Sequence, residues 1–548
     1  MSVMSHQKTP ATGTQSRRLD LTSAINSVLR PAVAIRLQRD WSKRRIARIP
    51  VLVFLFTGAA VYEAFQASAF SNGDIWWHLR TGVWMLQNHV LPHTGLFSQH
   101  ADLPWIESSW GYDIVLAGLY QLFGLRSLPL LLMSFRVALA LVTFLLAGGW
   151  RGAFWPAILV SAAAQYVSFD LPPLPVLFSV LFFGAELTLL LKSHRSASAR
   201  PLLWLPLLFL LWANLHIQFV LGLALLILFL LAEVIPATPV TLCPAQGGLR
   251  KTVSVAALAA ALVASALASL ITPYGIHLFG ELFRDIYSKT AFQYLPGMYP
   301  MGFRRPRDFV LSLLVMTAFL ALGRKRSWDL VKLSTMVAAT LIAFRFARDG
   351  WCAVLLAVAI IGDELAAGPS RAETLVGDSA TQNGAEWVRK HELQVVKRFW
   401  LLTPILVVVV FVAAAIYTPG RTEEVMSRVQ ERFPVRGANF IRANELPHPL
   451  FNLYEWGGFL IWYLPEYPVS IDGRFSLYGD DLFASYFRVI SGGQRLEAEP
   501  SFANAGTILL EKNSELATAL TTIPSLSARY RVVYSDDVAV VIVPSEKR

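Results

Sequence analysis

At residues 74–80 the chain reads Asp-Ile-Trp-Trp-His-Leu-Arg, directly after an apolar segment at 50–70. That segment is long enough to cross a bilayer, and the residues before it are rich in Lys and Arg. The positive-inside rule therefore places Asp74 just beyond the outer membrane surface, at the depth that tryptophan prefers. Two interpretations stay open. Asp74 is placed for chemistry on a lipid-linked substrate, or it caps a helix while Trp76 and Trp77 form an interfacial belt.

The composition indicates a polytopic membrane protein. Of 548 residues, 55% are hydrophobic and 16% are charged, whereas soluble domains carry about 25% charged residues. The net charge of +11 is concentrated in the N-terminal arm, which indicates membrane orientation and argues against a nucleic-acid partner. Cys243 and Cys352 form neither a disulfide framework nor a metal-ligand spacing. The basic leader is too long for a cleaved signal peptide, so we expect the first apolar segment to stay as an anchor.

Eleven apolar runs are candidate membrane spans. They lie at 50–70, 127–149, 152–169, 173–191, 201–215, 217–236, 252–271, 308–323, 329–346, 351–366 and 399–418. The run at 112–125 is ambiguous. When it is interpreted as an interfacial helix, all the basic loops fall on one side; these are the N-terminus, 192–200, 250–251, 324–326 and 389–398. We therefore predict an α-helical membrane protein with about eleven transmembrane helices, a cytoplasmic N-terminus and an outer C-terminus.

The sequence divides into three predicted parts: a basic cytoplasmic arm at 1–48, a transmembrane domain at 49–418 with a first external loop at 71–126, and a small extracytoplasmic α/β domain at 419–548. In the last part, β-rich runs alternate with helical patterns. Strands are predicted at 468–471, 507–510, 531–534 and 538–543, and helices near 481–490 and 512–522. We expect Trp456 and Trp462 to pack this domain against the membrane part, with a tight turn at Gly457-Gly458.

Polar residues gather at the predicted outer face. They are Asp74, His78, Arg80, Glu107, Asp113, Asp170, Asn214, His216, Gln218, Arg304, Arg305, Arg307, Asp308, Arg345, Arg348 and Asp349. Ionisable groups beside hydrocarbon are costly, and they persist where they face a cavity or one another. A transporter would place polar groups and broken helices at the midplane, where the candidates are few: Glu63, Arg136 and Glu186. The pattern favours an outward-facing site over a transport pathway.

Two further motifs lie on that face. The run Arg304-Arg305-Pro306-Arg307 lies on the side where positive charge is disfavoured, which suggests an anionic partner such as a lipid phosphate or diphosphate. Arg345 and Arg348 reinforce it if they lie nearby. The turn around Asn214 and His216 either completes a helical hairpin or joins Asp74 and Asp113 in approaching a cation.

The long first external loop with its early acidic residue, the many spans and the outer α/β domain together resemble the GT-C superfamily of membrane glycosyltransferases. The stretch Tyr454-Glu455-Trp456-Gly457-Gly458, followed by Asp472-Gly473-Arg474, resembles the region of oligosaccharyltransferase catalytic subunits that holds a Trp-Trp-Asp-Tyr-Gly motif. One tryptophan is missing and Glu455 precedes Trp456, so acceptor recognition is not carried over. Most of the chain also resembles bacterial integral membrane proteins of unassigned substrate. This resemblance implies a multi-pass protein of the bacterial inner membrane.

The resemblance implies transfer of a sugar from a polyprenyl-phosphate donor, among membrane lipids, at the outer face. Asp74 is the expected general base, or it shares a divalent cation (Mg or Mn) with Asp113 or Glu107. Substrate-binding candidates are Trp76, Trp77, His78, Asn214, His216, Arg304, Arg305, Arg307, Arg345, Arg348, Trp456, Asp472 and Arg474. The alternative is a non-catalytic scaffold of the same fold that binds lipids or partner proteins. A single cavity holding the acidic and arginine groups favours the enzyme, and scattered groups favour the scaffold.

Overall fold

The computed structural model describes residues 48–545, with gaps at 67, 150–153, 236–252, 325–328, 367–401, 492–495 and 497–498. The chain forms two compact units, one of 1–55 with 371–409 and the other of 56–370 with 410–548. The first unit is described only at 48–55 and 402–409, and the site lies entirely in the second. The predicted cytoplasmic arm (apart from Arg48), Cys243 and the basic loops at 250–251 and 389–398 lie outside the described residues, as does most of 324–326.

A helix forms at each of the eleven predicted apolar runs. The helices are Ile49–Gln66, Ser127–Leu146, Phe154–Val167, Val176–Ser196, Leu205–Leu215, Phe219–Val234, Val255–Ser269, Pro306–Arg324, Leu330–Arg345, Gly350–Ala366 and Leu402–Ile416. Within the described ranges, four helical stretches are long and apolar enough to cross a membrane: Ile49–Gln66, Trp110–Leu146, Val176–Ser196 and Pro306–Arg324. The protein is therefore a membrane protein, while the count of eleven spans, the orientation and the domain boundaries stay predictions.

Shorter helices occupy the connecting segments. The first external loop contains the helices Asp74–Asn88 and Trp110–Phe123. The second of these continues through a short 3₁₀ turn at Gly124–Arg126 into Ser127–Leu146. A later loop contains His277–Tyr287 and Lys289–Tyr294. The ambiguous run at 112–125 is thus helical and continuous with the helix that follows it.

The C-terminal part contains a four-stranded sheet in the order β1-β2-β4-β3. β1 (Leu450–Asn452) is parallel to β2 (Thr507–Glu511), and β4 (Ala539–Pro544) runs antiparallel to both β2 and β3 (Tyr530–Ser535). Its helices are Thr422–Val429, Val435–Ala443, Tyr454–Tyr463, Phe475–Ile490, Pro500–Ala503, Glu515–Thr522 and Pro524–Ser527. The α/β character and three of the four predicted strands are confirmed.

The predicted strand at 468–471 is wrong. The backbone of Val469 bonds to the first external loop, where its N–H donates to the carbonyl of Phe97 (3.1 Å) and its carbonyl accepts from the N–H of Gln99 (2.9 Å). The segment therefore connects the C-terminal part to the loop, and the fourth strand of the sheet is β1.

The predicted tight turn at Gly457-Gly458 is also wrong, because both glycines lie inside the helix Tyr454–Tyr463. They allow a close approach instead. A Cβ added to Gly458 would lie 2.3 Å from the carbonyl oxygen of Gly73. The helix thus packs on the chain immediately before Asp74. Trp456 is buried, and Trp462 is half-buried with its ring 6.4 Å from that of Trp76.

Candidate functional site

Asp74 begins the helix Asp74–Asn88, but its side chain does not cap that helix. The N-cap position is Gly73, and Asn72 Oδ1 accepts a hydrogen bond from the N–H of Asp74 (2.8 Å). The carboxylate of Asp74 accepts a long hydrogen bond from Trp77 Nε1 (3.4 Å) and lines a cavity. The interpretation of Asp74 as a helix cap is therefore wrong, and its carboxylate is available for another role.

The cavity has a volume of about 690 Å³. Three parts of the chain supply its polar walls. The first loop contributes Asp74, Trp77, His78, Trp105 and Glu107. Residues at or beside the ends of the apolar helices contribute Asp170, His216, Gln218, Arg307, Arg348 and Asp349. The C-terminal part contributes Tyr454, Gly473, Arg474 and Ser476. The remaining wall is apolar and includes Val167, Leu171, Leu174, Val176, Leu295, Met298 and Leu311. Acidic and arginine groups thus meet in one cavity, as the enzyme interpretation requires.

Asp74 lies against a turn of the C-terminal part, Asp472-Gly473-Arg474. A Cβ on Gly473 would lie only 1.8 Å from Asp74 Oδ1, so this position accommodates no side chain without movement. Burial, and then the nearby carboxylates of Asp472 and Glu455, raise the pKa of Asp74 to about 6. A carboxylate with this pKa is largely ionised at neutral pH and more basic than an ordinary aspartate, which suits a general base.

The same turn is held by a buried ion pair. Arg474 donates through Nη2 to Asp472 Oδ2 (2.7 Å) and through Nη1 to the carbonyl of Leu96 in the first loop (2.8 Å). Tyr478 donates its hydroxyl to Asp472 Oδ2 (2.6 Å). The guanidinium carbon of Arg474 lies 4.7 Å from the centre of the Trp105 ring. Asp472 therefore positions Arg474, which fastens the C-terminal part to the loop and reaches the cavity.

A second group of acidic residues lies beside Asp74. His78 Nδ1 and Asp113 Oδ1 are 2.6 Å apart, and Glu107 Oε1 accepts from the N–H of Ser109 (2.8 Å). Ligand atoms of His78, Glu107 and Asp113 all lie within 4.8 Å of one another. Burial raises the pKa of Glu107 to about 7, and it lowers the pKa of His78 well below its usual range, with His216 and Arg474 adding to the effect.

This group fits a divalent cation. The pKa shift keeps the imidazole of His78 neutral, as a metal ligand must be, and Asp113 Oδ2 is buried without a hydrogen-bond partner in the described part of the chain. One imidazole with two carboxylates suits Mn²⁺ better than Mg²⁺. The sequence proposed Asp74 and Asp113 as ligands; the geometry instead groups Asp113 with Glu107 and His78.

Arginines from the helix ends also line the cavity. Arg307 forms an ion pair with Asp170, and Arg305 Nη1 lies 4.0 Å from the same carboxylate. Arg348 Nε lies 3.5 Å from Asp349 Oδ2. Of the six predicted arginines, Arg307, Arg348 and Arg474 line the cavity, and Arg305 reaches it only through its approach to Asp170.

Several predicted site residues lie elsewhere. Arg304 is exposed, and the guanidinium carbon of Arg345 lies 4.7 Å from the centre of the Phe292 ring. Asn214 does not line the cavity, and its Nδ2 donates to the carbonyl of Leu210 in its own helix and to that of Ile271, just beyond the helix Val255–Ser269.

Two predicted tryptophans are packing residues. Trp76 is fully buried, with its ring 5.5 Å from that of Phe459. Trp456 donates Nε1 to the carbonyl of Arg432 (3.1 Å).

Several polar cavity residues were not assigned to the site from the sequence, among them Asp170, Gln218, Asp349 and Tyr454. Asp170, Gln218 and Asp349 belong to the polar residues predicted at the outer face, as Arg348 does. Their positions beside helix ends were the only signal in the sequence that could have assigned them to the site. Gln218 Nε2 donates to Asp349 Oδ1 (2.7 Å), which holds that carboxylate beside Arg348. Tyr454 opens the Glu-Trp-Gly-Gly stretch and lines the cavity beside Asp74.

Solved structures similar to this chain include an oligosaccharyltransferase of Archaeoglobus fulgidus in the apo form, with a TM-score of 0.49, 11% identity and coverage of 92% of this chain and 74% of that chain. Another is ArnT of Cupriavidus metallidurans bound to undecaprenyl phosphate, with a TM-score of 0.40, 16% identity and coverage of 89% and 97%. Both likenesses have a TM-score below 0.5 and an identity below 25%, so the resemblance to GT-C glycosyltransferases stays a prediction from the sequence. At these scores it says nothing about the chemistry of the site. No protein-family model and no curated protein sequence match the chain.

Proposed function

We propose that the chain is a membrane glycosyltransferase of the GT-C type that transfers a sugar from a polyprenyl-phosphate donor at the outer face of the bacterial cell membrane. One observation carries the proposal: a single cavity of about 690 Å³ is lined by the carboxylates of Asp74 and Glu107 and by the arginines Arg307 and Arg348. A scaffold has no need for carboxylates with raised pKa values and arginines in the lining of one cavity.

The walls match the parts of such a donor. The apolar wall, built from the ends of helices such as Phe154–Val167 and Pro306–Arg324, suits the first isoprene units of the lipid. Arg307 and Arg348 supply planar donors for a phosphate, which Arg grips more specifically than Lys does. The sugar then lies between this wall and Asp74.

The proposed reaction is a single displacement. Asp74 accepts the proton of an acceptor hydroxyl as the hydroxyl oxygen bonds to the anomeric carbon, and the bond from that carbon to the phosphate oxygen breaks. The electron pair of the broken bond goes to the phosphate, where Arg307 and Arg348 stabilise the developing charge. Attack from the side opposite the phosphate inverts the configuration of the sugar.

A divalent cation fits the reaction as well as the residues. His78, Glu107 and Asp113 would hold it, and when bound it would supply Lewis-acid stabilisation of negative charge. Arg474 and Tyr454 form the wall that the C-terminal part contributes. In this proposal that part lies outside the cell and completes the site.

The test is a transfer assay with the purified full chain in lipid nanodiscs and polyprenyl-phosphate sugars carrying a radiolabel. Wild type should release the label to an acceptor in the lipid fraction. Arg348→Gln should lower the rate at least tenfold, the loss typical of a charge-stabilising donor. Arg304→Gln makes the same change at an exposed arginine outside the cavity lining and should leave the rate unchanged. Equal rates in both variants would contradict the assignment.

A further inference from the structure

The ion pair between Asp170 and Arg307 lies inside the cavity, on the wall proposed to receive a phosphate. Both residues line the cavity, and Arg305 approaches the same Asp170 oxygen to 4.0 Å. Two guanidinium groups thus converge on one carboxylate, the arrangement with which arginines hold a phosphate oxygen. The other nearby carboxylate, Asp308, is occupied differently, because its Oδ2 accepts from the backbone N–H groups of Arg304 and Arg305 (both 3.2 Å).

The buried side chain of Arg136 holds the loop that contains Asp170. Arg136, on the helix Ser127–Leu146, is 3% exposed. Its guanidinium donates to the carbonyls of Ser168 (2.9 Å), Phe169 and Leu171 (3.4 Å). The arginine also lies over the Phe169 ring, 4.8 Å from its centre. Burying an arginine costs free energy, and here the buried guanidinium fixes the backbone on both sides of Asp170. We therefore interpret the position of Asp170 as a specific feature of the fold.

We propose that Asp170 is an internal counter-ion that occupies the phosphate site of Arg307 and Arg305 in the unliganded protein and is displaced by a phosphate-bearing ligand. The inference rests on the proposed function in one respect, that the phosphate-bearing ligand is a lipid. The chemistry itself is that of any phosphate monoester or diester. Displacement is feasible because Asp170 and Arg305 are more than half exposed (60% and 68%), whereas Arg307 is largely covered (23%). Water can therefore receive the released carboxylate, while Arg307 remains aimed at the ligand.

An internal anion that competes with the ligand lowers the measured affinity by the stability of the pair it forms. Exposed ion pairs of this kind are weak, so the expected gain on removing Asp170 is roughly two- to fivefold in affinity. A salt bridge that served only to hold the loop would behave in the opposite way. Its removal would loosen the arginines and weaken binding or leave it unchanged.

The experiment measures binding of farnesyl phosphate to the full chain in detergent by isothermal titration calorimetry. Farnesol and inorganic phosphate serve as separate probes for the lipid and the anion. Asp170→Asn should bind farnesyl phosphate roughly two- to fivefold more tightly than wild type, with no change for farnesol. Asp102→Asn makes the same charge change at an exposed residue outside the cavity lining and should bind as wild type does. In Arg307→Gln, binding should weaken, and adding Asp170→Asn to that variant should restore nothing.

Unchanged or weaker binding by Asp170→Asn would overturn the proposal, as would an equal gain in Asp102→Asn. An equal gain for inorganic phosphate is expected for any counter-ion, whereas an affinity for inorganic phosphate as high as that for farnesyl phosphate would keep the counter-ion and assign the site to a free anion. Failure of wild type and of all variants to bind either phosphate would overturn the counter-ion and the proposed donor together. Because the experiment measures binding, its result stands even if the protein shows no transferase activity.

Discussion

Replacing Gly473 by Ala tests whether the C-terminal part positions the proposed base. The new Cβ would lie 1.8 Å from Asp74 Oδ1 and 2.6 Å from its Cγ, both too close for any real contact. The turn cannot yield freely, because it is tied to the first loop through Arg474 and its bond to the carbonyl of Leu96, so the carboxylate of Asp74 must move. Overpacking of this kind costs about 1–3 kcal/mol. A shift of about 1 Å in a reacting group lowers rates by about a hundredfold.

The assay pairs thermal unfolding, followed by intrinsic fluorescence in detergent, with sugar transfer from labelled donor. We expect Gly473→Ala to unfold at lower temperature and to lose about 99% of its transfer rate. Gly118→Ala is the matched control, because that helical glycine has no atom within 4 Å of an added Cβ. It should be as stable as wild type or more stable by up to about 1 kcal/mol. Wild-type stability and transfer in Gly473→Ala would refute the contact between the turn and Asp74.

Three further predictions follow from the same geometry. The transfer rate should rise with pH through about 6 as Asp74 ionises, and a flat pH profile of the rate would exclude Asp74 as the base. Because the pKa of Asp74 is raised above the ordinary value, its ionisation also lowers the stability of the folded protein between about pH 4 and 6. Mn²⁺ binding, followed by electron paramagnetic resonance, should weaken at least about tenfold in His78→Ala and stay unchanged in His93→Ala, an exposed histidine; equal affinities would remove His78 from the ligand set. A cysteine at exposed Ser535 should react with an impermeant maleimide in intact cells, and labelling only after lysis would reverse the proposed orientation.

Hydropathy predicted the positions of the membrane helices because an apolar run of helical length is a local property of the chain. The same sidedness argument nominated Asp74, Glu107, Arg307 and Arg348, which do share a cavity. It worked because ionisable side chains beside hydrocarbon must share a polar space.

Contacts between distant parts of the chain were not predictable in this way. The approach of Gly473 to Asp74, and the pairing of Asp170 with Arg307, depend on how separate elements pack. The glycine pair Gly457-Gly458 shows the same limit. A turn was the local expectation, but both residues are helical, and their missing side chains admit the backbone of Gly73 at Gly458 and of Ile471 and Asp472 at Gly457.

The pairing of His78 with Asp113 was missed for a related reason. Helical spacing indicated neither partner, because the two residues lie on different helices, Asp74–Asn88 and Trp110–Phe123. The sequence therefore suggested Asp74 as the metal-binding partner of Asp113. The packed structure separates the two roles: Asp74 faces the turn at Gly473, and Asp113 faces His78 and Glu107.

The most direct test of the central claim is sugar transfer by Asp74→Asn. Asparagine keeps the size of the side chain and its bond to Trp77 but cannot accept a proton. Since burial disfavours the charge of Asp74, the variant should reach wild-type levels in the membrane and be at least as stable at pH 7. We predict that transfer falls by about two to four orders of magnitude. Transfer at the wild-type rate by a stably inserted Asn variant would contradict the account and return the protein to the class of membrane scaffolds.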